Sequence, residues 1–198
     1  MSVPQLLQSN EFKRIGDIIA DSFSDDPVNQ WVFGDDQQHM AYQYALNAKK
    51  LYLAQGYGHV MPDDTGGTLW LPPGVKKEIP LWNSLDIAAA MIRHGGFSSL
   101  MGGMAIDAHL HKRHPKEPHY YLFAIGAVQG CQGQGIGKKL MRAGLAKADK
   151  DGMPAYLESS KEVNVSFYRR FGFEVIEKTE PPKGCPPLWL MWRDARDV

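Results

Sequence analysis

The chain has 198 residues, a formal net charge of +0, 43% hydrophobic and 22% charged residues. That length suits one domain with a substantial core, and the composition is ordinary globular usage, neither disordered nor fibrous. A balanced charge gives no global affinity for nucleic acid or an anionic membrane surface, so any anion site must be local.

Cys131 and Cys185 are the only cysteines, and they form neither a CxxC pair nor a disulfide framework. Two such thiols fit a reducing, cytoplasmic setting. The opening MSVPQLLQSNEFKRIGD has no long apolar stretch, so no signal peptide is expected. No apolar run is long enough to span a membrane.

In chain order, NEFKRIGDIIADSF sets Phe12, Ile15, Ile18, Ile19 and Phe23 at helical spacing, with Asn10 as a candidate cap. DDPVNQWVFGDD reads as a polar-bounded turn with an apolar centre. A second helix is expected over 37–55, closed by Gly56 and Gly58. YGHVM and GTLWLP then read as two strands joined by the turn PDDTGG, with PPGVKKEIP a loop. LWNSLDIAAAMIRHGG and FSSLMGGMAIDAHLHKRH read as two helices split by Gly95 and Gly96. HYYLFAIGAV is a buried strand, followed by a helix from Ile136, the strand PAYLES, the short helix NVSFYRRF, and the strands GFEVIEK and PLWLMWR. The strand–helix–strand step favours parallel pairing at the glycine-rich loop between residues 127 and 139.

That loop, AVQGCQGQGIGKK, invites three phosphate-binding readings. A Walker A loop ending at Gly137-Lys138 needs glycine where Gln132 stands and a hydroxyl where Lys139 stands. A dinucleotide fingerprint from Gly133 and Gly135 ends on Lys138, and one from Gly135 and Gly137 ends on Leu140. The third pattern, Q-x-x-G-x-G at Gln132, Gly135 and Gly137, fits, and Val128 closes the strand four residues earlier. Successive backbone N–H groups and a helix N-terminus can point at a pyrophosphate, and side chains there would block the approach. Lys138 or Lys139 can add a charge-assisted contact. Taken alone, the stretch can also be read as a flexible, glycine-rich strand-to-helix turn with a solvated helix end.

This pattern resembles the acetyl-coenzyme A motif of the GNAT N-acetyltransferase superfamily. The resemblance continues through Asn164, Phe167, Tyr168, Gly172 and Phe173, and covers roughly residues 119–193. TLWLPPG at residues 68–74, LESS and DSFSDDPVNQWVF look like a subgroup that includes puromycin-type N-acetyltransferases. One departure is Gln129-Gly130 where the superfamily often continues from Val with x-Pro. The resemblance implies a single-domain α/β fold with a mixed, splayed sheet flanked by helices. It implies an acceptor-side half over 1–118 and an acetyl-coenzyme A core over 119–193. It assigns Ala127, Val128, Gln132, Gly133, Gln134, Gly135, Ile136, Gly137, Lys138 and Asn164 to acetyl-CoA, with no metal.

The implied reaction is direct transfer of acetyl to an amine of a small molecule. In that reading the Val128 N–H is the oxyanion donor, Tyr168 the general acid, and Asn164, one turn earlier, a pantetheine contact. Read without the resemblance, Tyr168 is a core aromatic and Asn164 a helix cap. Glu158 alternates with Leu157 at a strand's C-terminal end and is either the base or an exposed strand-end acid or salt-bridge partner, with water as the alternative relay.

His109, His111, His114 and His119 lack the HExxH or cysteine context of a metal site and read as a polar connector. Cys131 reads as small filler, and the Asp pairs at 25–26, 35–36 and 63–64 as turn residues, with Asp25 or Asp26 able to face a cationic amine. Trp31, Tyr44, Trp70 and Trp82 are candidates to line an apolar acceptor pocket or to be core. The expected molecule is a monomer or homodimer. The rival readings are a protein or peptide N-acetyltransferase, expected to carry an acidic groove, and a non-catalytic acyl-coenzyme A sensor.

Overall fold

The structure, a computed structural model, describes residues 2–77, 81–181 and 184–196; of residues 81–84, 86, 94 and 95 it describes no side chain. Among the described residues, seven strands form one sheet in the order β1-β2-β3-β4-β5-β7-β6. They are β1 (Gln5–Leu6), β2 (Tyr57–Val60), β3 (Gly66–Leu71), β4 (Tyr120–Ala127), β5 (Ala155–Ser159), β6 (Glu174–Thr179) and β7 (Leu188–Arg193). Only β4 and β5 pair in parallel; every other neighbour is antiparallel. The expected mixed sheet is therefore observed.

Helix α1 (Phe12–Ser22) buries Ile15, Ile18 and Ile19 along one face. It packs against α3 (Gln37–Asn47) through Gly16, where an added Cβ would lie 2.7 Å from the Ala41 carbonyl oxygen. The helix of α3 loosens into a π segment, Ala48–Tyr52, and ends as α4 (Leu53–Gln55). Residues 27–33, expected as part of a turn, form α2 (Pro27–Phe33). The Asp26 carboxylate accepts from the N–H groups of Val28 (3.1 Å) and Asn29 (2.9 Å), Pro27 occupies the first turn, and Gly34 closes the helix at φ 63°. The two helices expected either side of Gly95 and Gly96 lie within α5 (Leu81–His111), where Gly96 takes φ 70° and ψ -174°, outside helical geometry, and separates them.

The sheet has two apolar faces, because neighbouring strand residues point oppositely. Tyr121 and Tyr156 join Ile15, Ile19, Tyr44 and Tyr52 on the α1–α3 face. Leu122 and Leu157 join Trp70, Met141, Leu145, Tyr168 and Phe173 on the other, under α6 (Ile136–Lys150) and α7 (Val165–Arg169). Fully buried side chains such as Ile15, Leu69 and Met141 each contribute about 1.5–3 kcal/mol. Trp70 is fully buried, and a Cβ at Gly144 would run into its indole, so α6 lies close on β3 only because Gly144 has no side chain.

One feature of the sheet positions everything that follows. β4 and β5 pair only from Tyr120 opposite Ala155 to Leu122 opposite Leu157. Against β3, Leu69 faces Ala124 and Trp70 faces Leu122, leaving Phe123 as an extra residue. Such a bulge bends and twists its strand. Beyond it β4 follows β3, β5 follows β7, and the sheet splits.

Candidate functional site

The split opens into a cleft of about 1120 Å³. Its walls are β4 from Leu122 to Ala127 and the end of β5 from Leu157 onward; the glycine-rich loop and α7 complete it. Gly130, Gly133 and Gly135 have φ of 80°, 77° and 79°, a left-handed conformation that other residues adopt at a cost of about 1–2 kcal/mol each. The first α6 bond runs from the Lys139 N–H to the Gly135 carbonyl (3.2 Å). The N–H groups of Ile136, Gly137 and Lys138 thus have no helix carbonyl to donate to, which makes an anion site. A Cβ at Gly137 would lie 3.3 Å from the Phe167 ring, so glycine keeps this floor open.

Gln132, Gly133, Gly135, Ile136, Gly137 and Lys138 all line the cleft. So do Arg142, Arg170 and Arg196, which give the neutral chain its local positive surface. Gln134 is turned to its own loop, its amide donating to the Gly130 carbonyl at 3.4 Å. Cys131 is a half-buried lining residue packed on Ile136 and Leu140.

Two predicted residues come together at α7, Asn164 as its N-cap and Tyr168 within it. Asn164 and Tyr168 both line the cleft, and Tyr168 is 8% exposed. Burial, with the nearby Asp26 carboxylate, pushes the Tyr168 phenol well above its ordinary pKa, so it is held protonated. Its ring packs edge-on against Phe167 and Phe173, so it is at once core aromatic and cleft wall.

Val128 does not fit the oxyanion role given to it. Its N–H donates to the Thr65 carbonyl (3.0 Å), on the β3 side and away from the split. N–H groups alternate sides along a strand, so those of Ile125 and Ala127 turn toward the opening instead.

Glu158 lies on the opposite sheet face from Leu157, as the alternation requires, but it is not exposed. Lys77 Nζ lies 3.0 Å from its Oε2, the Tyr121 hydroxyl donates to Oε2 at 2.8 Å, and the Tyr156 hydroxyl donates to Oε1 at 3.4 Å. Burial pushes this carboxyl up, but the Lys77 ammonium, the neighbouring His114 and hydrogen bonds from Lys77 and Tyr121 outweigh it and hold the pKa at about 2. A carboxylate so stabilised is a weak base. His114, expected in a polar connector, stands with Nδ1 3.7 Å from Glu158 Oε1, and its Nε2 meets His119 Nε2 at 3.2 Å. His109 instead meets the Thr179 hydroxyl at 2.7 Å. Sequence reasoning missed Lys77, His114 and Tyr121 as neighbours of Glu158; no local pattern joins them.

The Asp25 carboxylate pairs with Lys161 (2.5 Å), and Asp26, besides capping α2, accepts from the Ser160 hydroxyl. The Gln129 N–H donates to Asp21 at 2.7 Å. The α1–α2 turn thereby ties the far ends of β4 and β5 across the split. Of the aromatic candidates, Trp70 is core, Tyr44 is buried and donates to Asn29 (2.8 Å), and Trp31 covers Gly102. The Trp82 side chain lies outside the described residues.

Comparison with known proteins agrees with this fold. The family model "Acetyltransferase (GNAT) family" matches residues 87–173. The uncharacterized N-acetyltransferase C550.08 of Schizosaccharomyces pombe is 25% identical over 84% of this chain and 72% of its own. A structure titled histone acetyltransferase HPA2 and related acetyltransferase, from Corynebacterium glutamicum, superposes with TM-score 0.71 at 23% identity, covering 100% of this chain and 99% of that one. The Drosophila melanogaster polyamine N acetyltransferase superposes with TM-score 0.62 at 10% identity, covering 98% and 100%. The chain thus matches the GNAT family model over its central part, is similar over most of its length to an N-acetyltransferase, and shares its fold with acetyltransferases of known structure.

Proposed function

We propose that the protein transfers acetyl from acetyl-coenzyme A to an amine of a small molecule, across the β4–β5 split. The observation that carries this reading is the split itself. One cleft is floored by unpaired helix N–H groups and walled by a phenol on one sheet face, and it reaches a buried carboxylate on the other.

The loop from Gln132 to Lys138 and the rim of Arg142, Arg170 and Arg196 suit the phosphates, and Asn164 suits the pantetheine amides. When bound, the cofactor supplies a thioester as the acyl electrophile. The Ile125 and Ala127 N–H groups stabilise negative charge developing on the carbonyl oxygen, each such donor typically being worth about 3 kcal/mol of barrier. Tyr168 offers its phenolic proton to the leaving sulfur. Glu158 offers an acceptor ammonium charge and orientation; the proton leaves through water, since a carboxylate of pKa about 2 takes it poorly.

The division into an acceptor-side half (1–118) and a cofactor core (119–193) follows, with Lys77 and His114 on the first and the glycine loop on the second. The likeness to puromycin-type enzymes rests on residues 68–74 and the LESS end of β5, and it carries architecture rather than acceptor identity. A peptide acetyltransferase is disfavoured by the enclosed position of Glu158, whose side chain is 7% exposed.

The test is coenzyme A release with acetyl-coenzyme A against aminonucleosides, aminoglycosides, polyamines, arylalkylamines and peptides. Turnover with a small amine is expected. Turnover with peptides alone, or with no amine, contradicts the reading.

A further inference from the structure

Among the described residues, two ion pairs each bury one of their charged side chains, and they differ in kind. Arg193 and Asp149 meet at 2.5 Å, an arginine on β7 against an aspartate on α6, and the guanidinium also donates to the Phe171 carbonyl at 2.9 Å. Both partners are fixed by regular structure. Glu158 is equally fixed, by β5 and by the Tyr121 and Tyr156 hydroxyls. Its counter-ion is not. Lys77 comes from the loop after β3, on a flexible four-carbon stem, and the Val75 N–H to Pro72 carbonyl bond at 3.4 Å is a weak tether for that loop.

The setting of the Lys77 ammonium is a cation site. It stands 3.0 Å from Glu158 Oε2 and 4.7 Å from the centroid of the Tyr121 ring. Further aromatic surface adjoins it: Tyr121 lies beside Phe123, which stacks on Tyr52 at 4.0 Å. Phe123 and Glu158 both line the cleft where β4 and β5 part. A buried carboxylate needs a positive partner, so whatever displaces Lys77 must bring a cation of its own.

Resting on the acetyltransfer reading, we propose that Lys77 is an internal stand-in for the acceptor. Glu158, Tyr121 and Phe123 form the acceptor subsite for an alkylammonium on an apolar body, and the loop bearing Lys77 must release it for the acceptor to enter. A neutral molecule of the same shape leaves the Glu158 charge unpaired and is rejected.

Binding of 2-phenylethylamine and of neutral 2-phenylethanol, measured by calorimetry without acetyl-coenzyme A, tests this apart from turnover. Lys77→Met is expected to bind the amine about ten-fold more tightly than the wild type or better, the alcohol no more tightly, and to lose the gain when Glu158→Gln is added. Equal amine affinity in wild type and Lys77→Met, or an equal gain for the alcohol, overturns the proposal. If Lys77→Met does not fold, the wild type still decides. Reductive methylation of Lys77, read by mass spectrometry, should quicken several-fold in saturating N,N-dimethyl-2-phenylethylamine and stay unchanged in 2-phenylethanol. An unchanged rate in both overturns it. An amine that binds in this way but is never acetylated removes the transfer reading and keeps the subsite. Acetylated product with no Lys77 effect on amine binding removes the subsite and keeps the reading.

Discussion

On the proposed cofactor side of the β4–β5 split the available contacts are backbone groups: glycines at φ near 80°, helix N–H groups and a free strand edge. On the other side they are offered by side chains, with Lys77, His114, Tyr121, Tyr156 and Glu158 gathered from four segments. A backbone cradle holds a ligand whose shape never changes. A side-chain chamber can be refitted for another acceptor by substitution, at a cost in stability where the Glu158 network is changed. Tyr168 stands between the two, with its ring in the core and its edge in the cleft.

The largest expected effect is at that junction. Tyr168→Phe keeps the ring packing and removes the proton donor, so kcat should fall about 100-fold or more with little change in either KM. An unchanged kcat in initial-rate assays removes Tyr168 from the chemistry. Next comes the cradle. Gly135→Ala forces a Cβ onto φ 79° and should raise the KM for acetyl-coenzyme A about ten-fold, for a backbone strain of about 1–2 kcal/mol.

Smaller effects probe what joins the sides. Asp26→Ala removes the cap of α2 and should cost about 1 kcal/mol in urea unfolding, about 2 if the lost Ser160 contact adds to it. The pH dependence of stability isolates the chamber. The Glu158 pKa is about 2 in the fold against 4.5 for a free carboxyl, so its contribution is present above 4.5 and is lost as pH falls from there toward 2. Thermal melts should therefore drop more steeply across that window in the wild type than in Glu158→Gln. Parallel curves would show that the Glu158 network does not stabilise the fold.

The same contrast explains what was legible in the sequence. The cradle lies in a dozen contiguous residues, where spacing alone separates one phosphate loop from another. The chamber does not: Lys77 and Glu158 are 81 positions apart, and Tyr121 and Glu158 are 37 apart. Only the fold brings them together, which is why Glu158 read as a strand-end acid and His114 as part of a connector. The commitment of the Val128 N–H to Thr65 was hidden for a different reason. The motif locates the strand's end, while the bulge at Phe123 and the β3 register decide which N–H groups turn outward. The α2 helix carried a readable signal, Asp26 before Pro27, but seven residues are too few for periodicity to rise above the flanking turn residues.

The most direct test of the two-sided account is two-substrate kinetics of Gly135→Ala and Glu158→Gln, measured side by side with one acceptor amine. Gly135→Ala should raise the KM for acetyl-coenzyme A alone, and Glu158→Gln the KM for the amine alone, each about ten-fold. If Glu158→Gln raises the KM for acetyl-coenzyme A as much as that for the amine, the split does not separate cofactor from acceptor and the account is wrong.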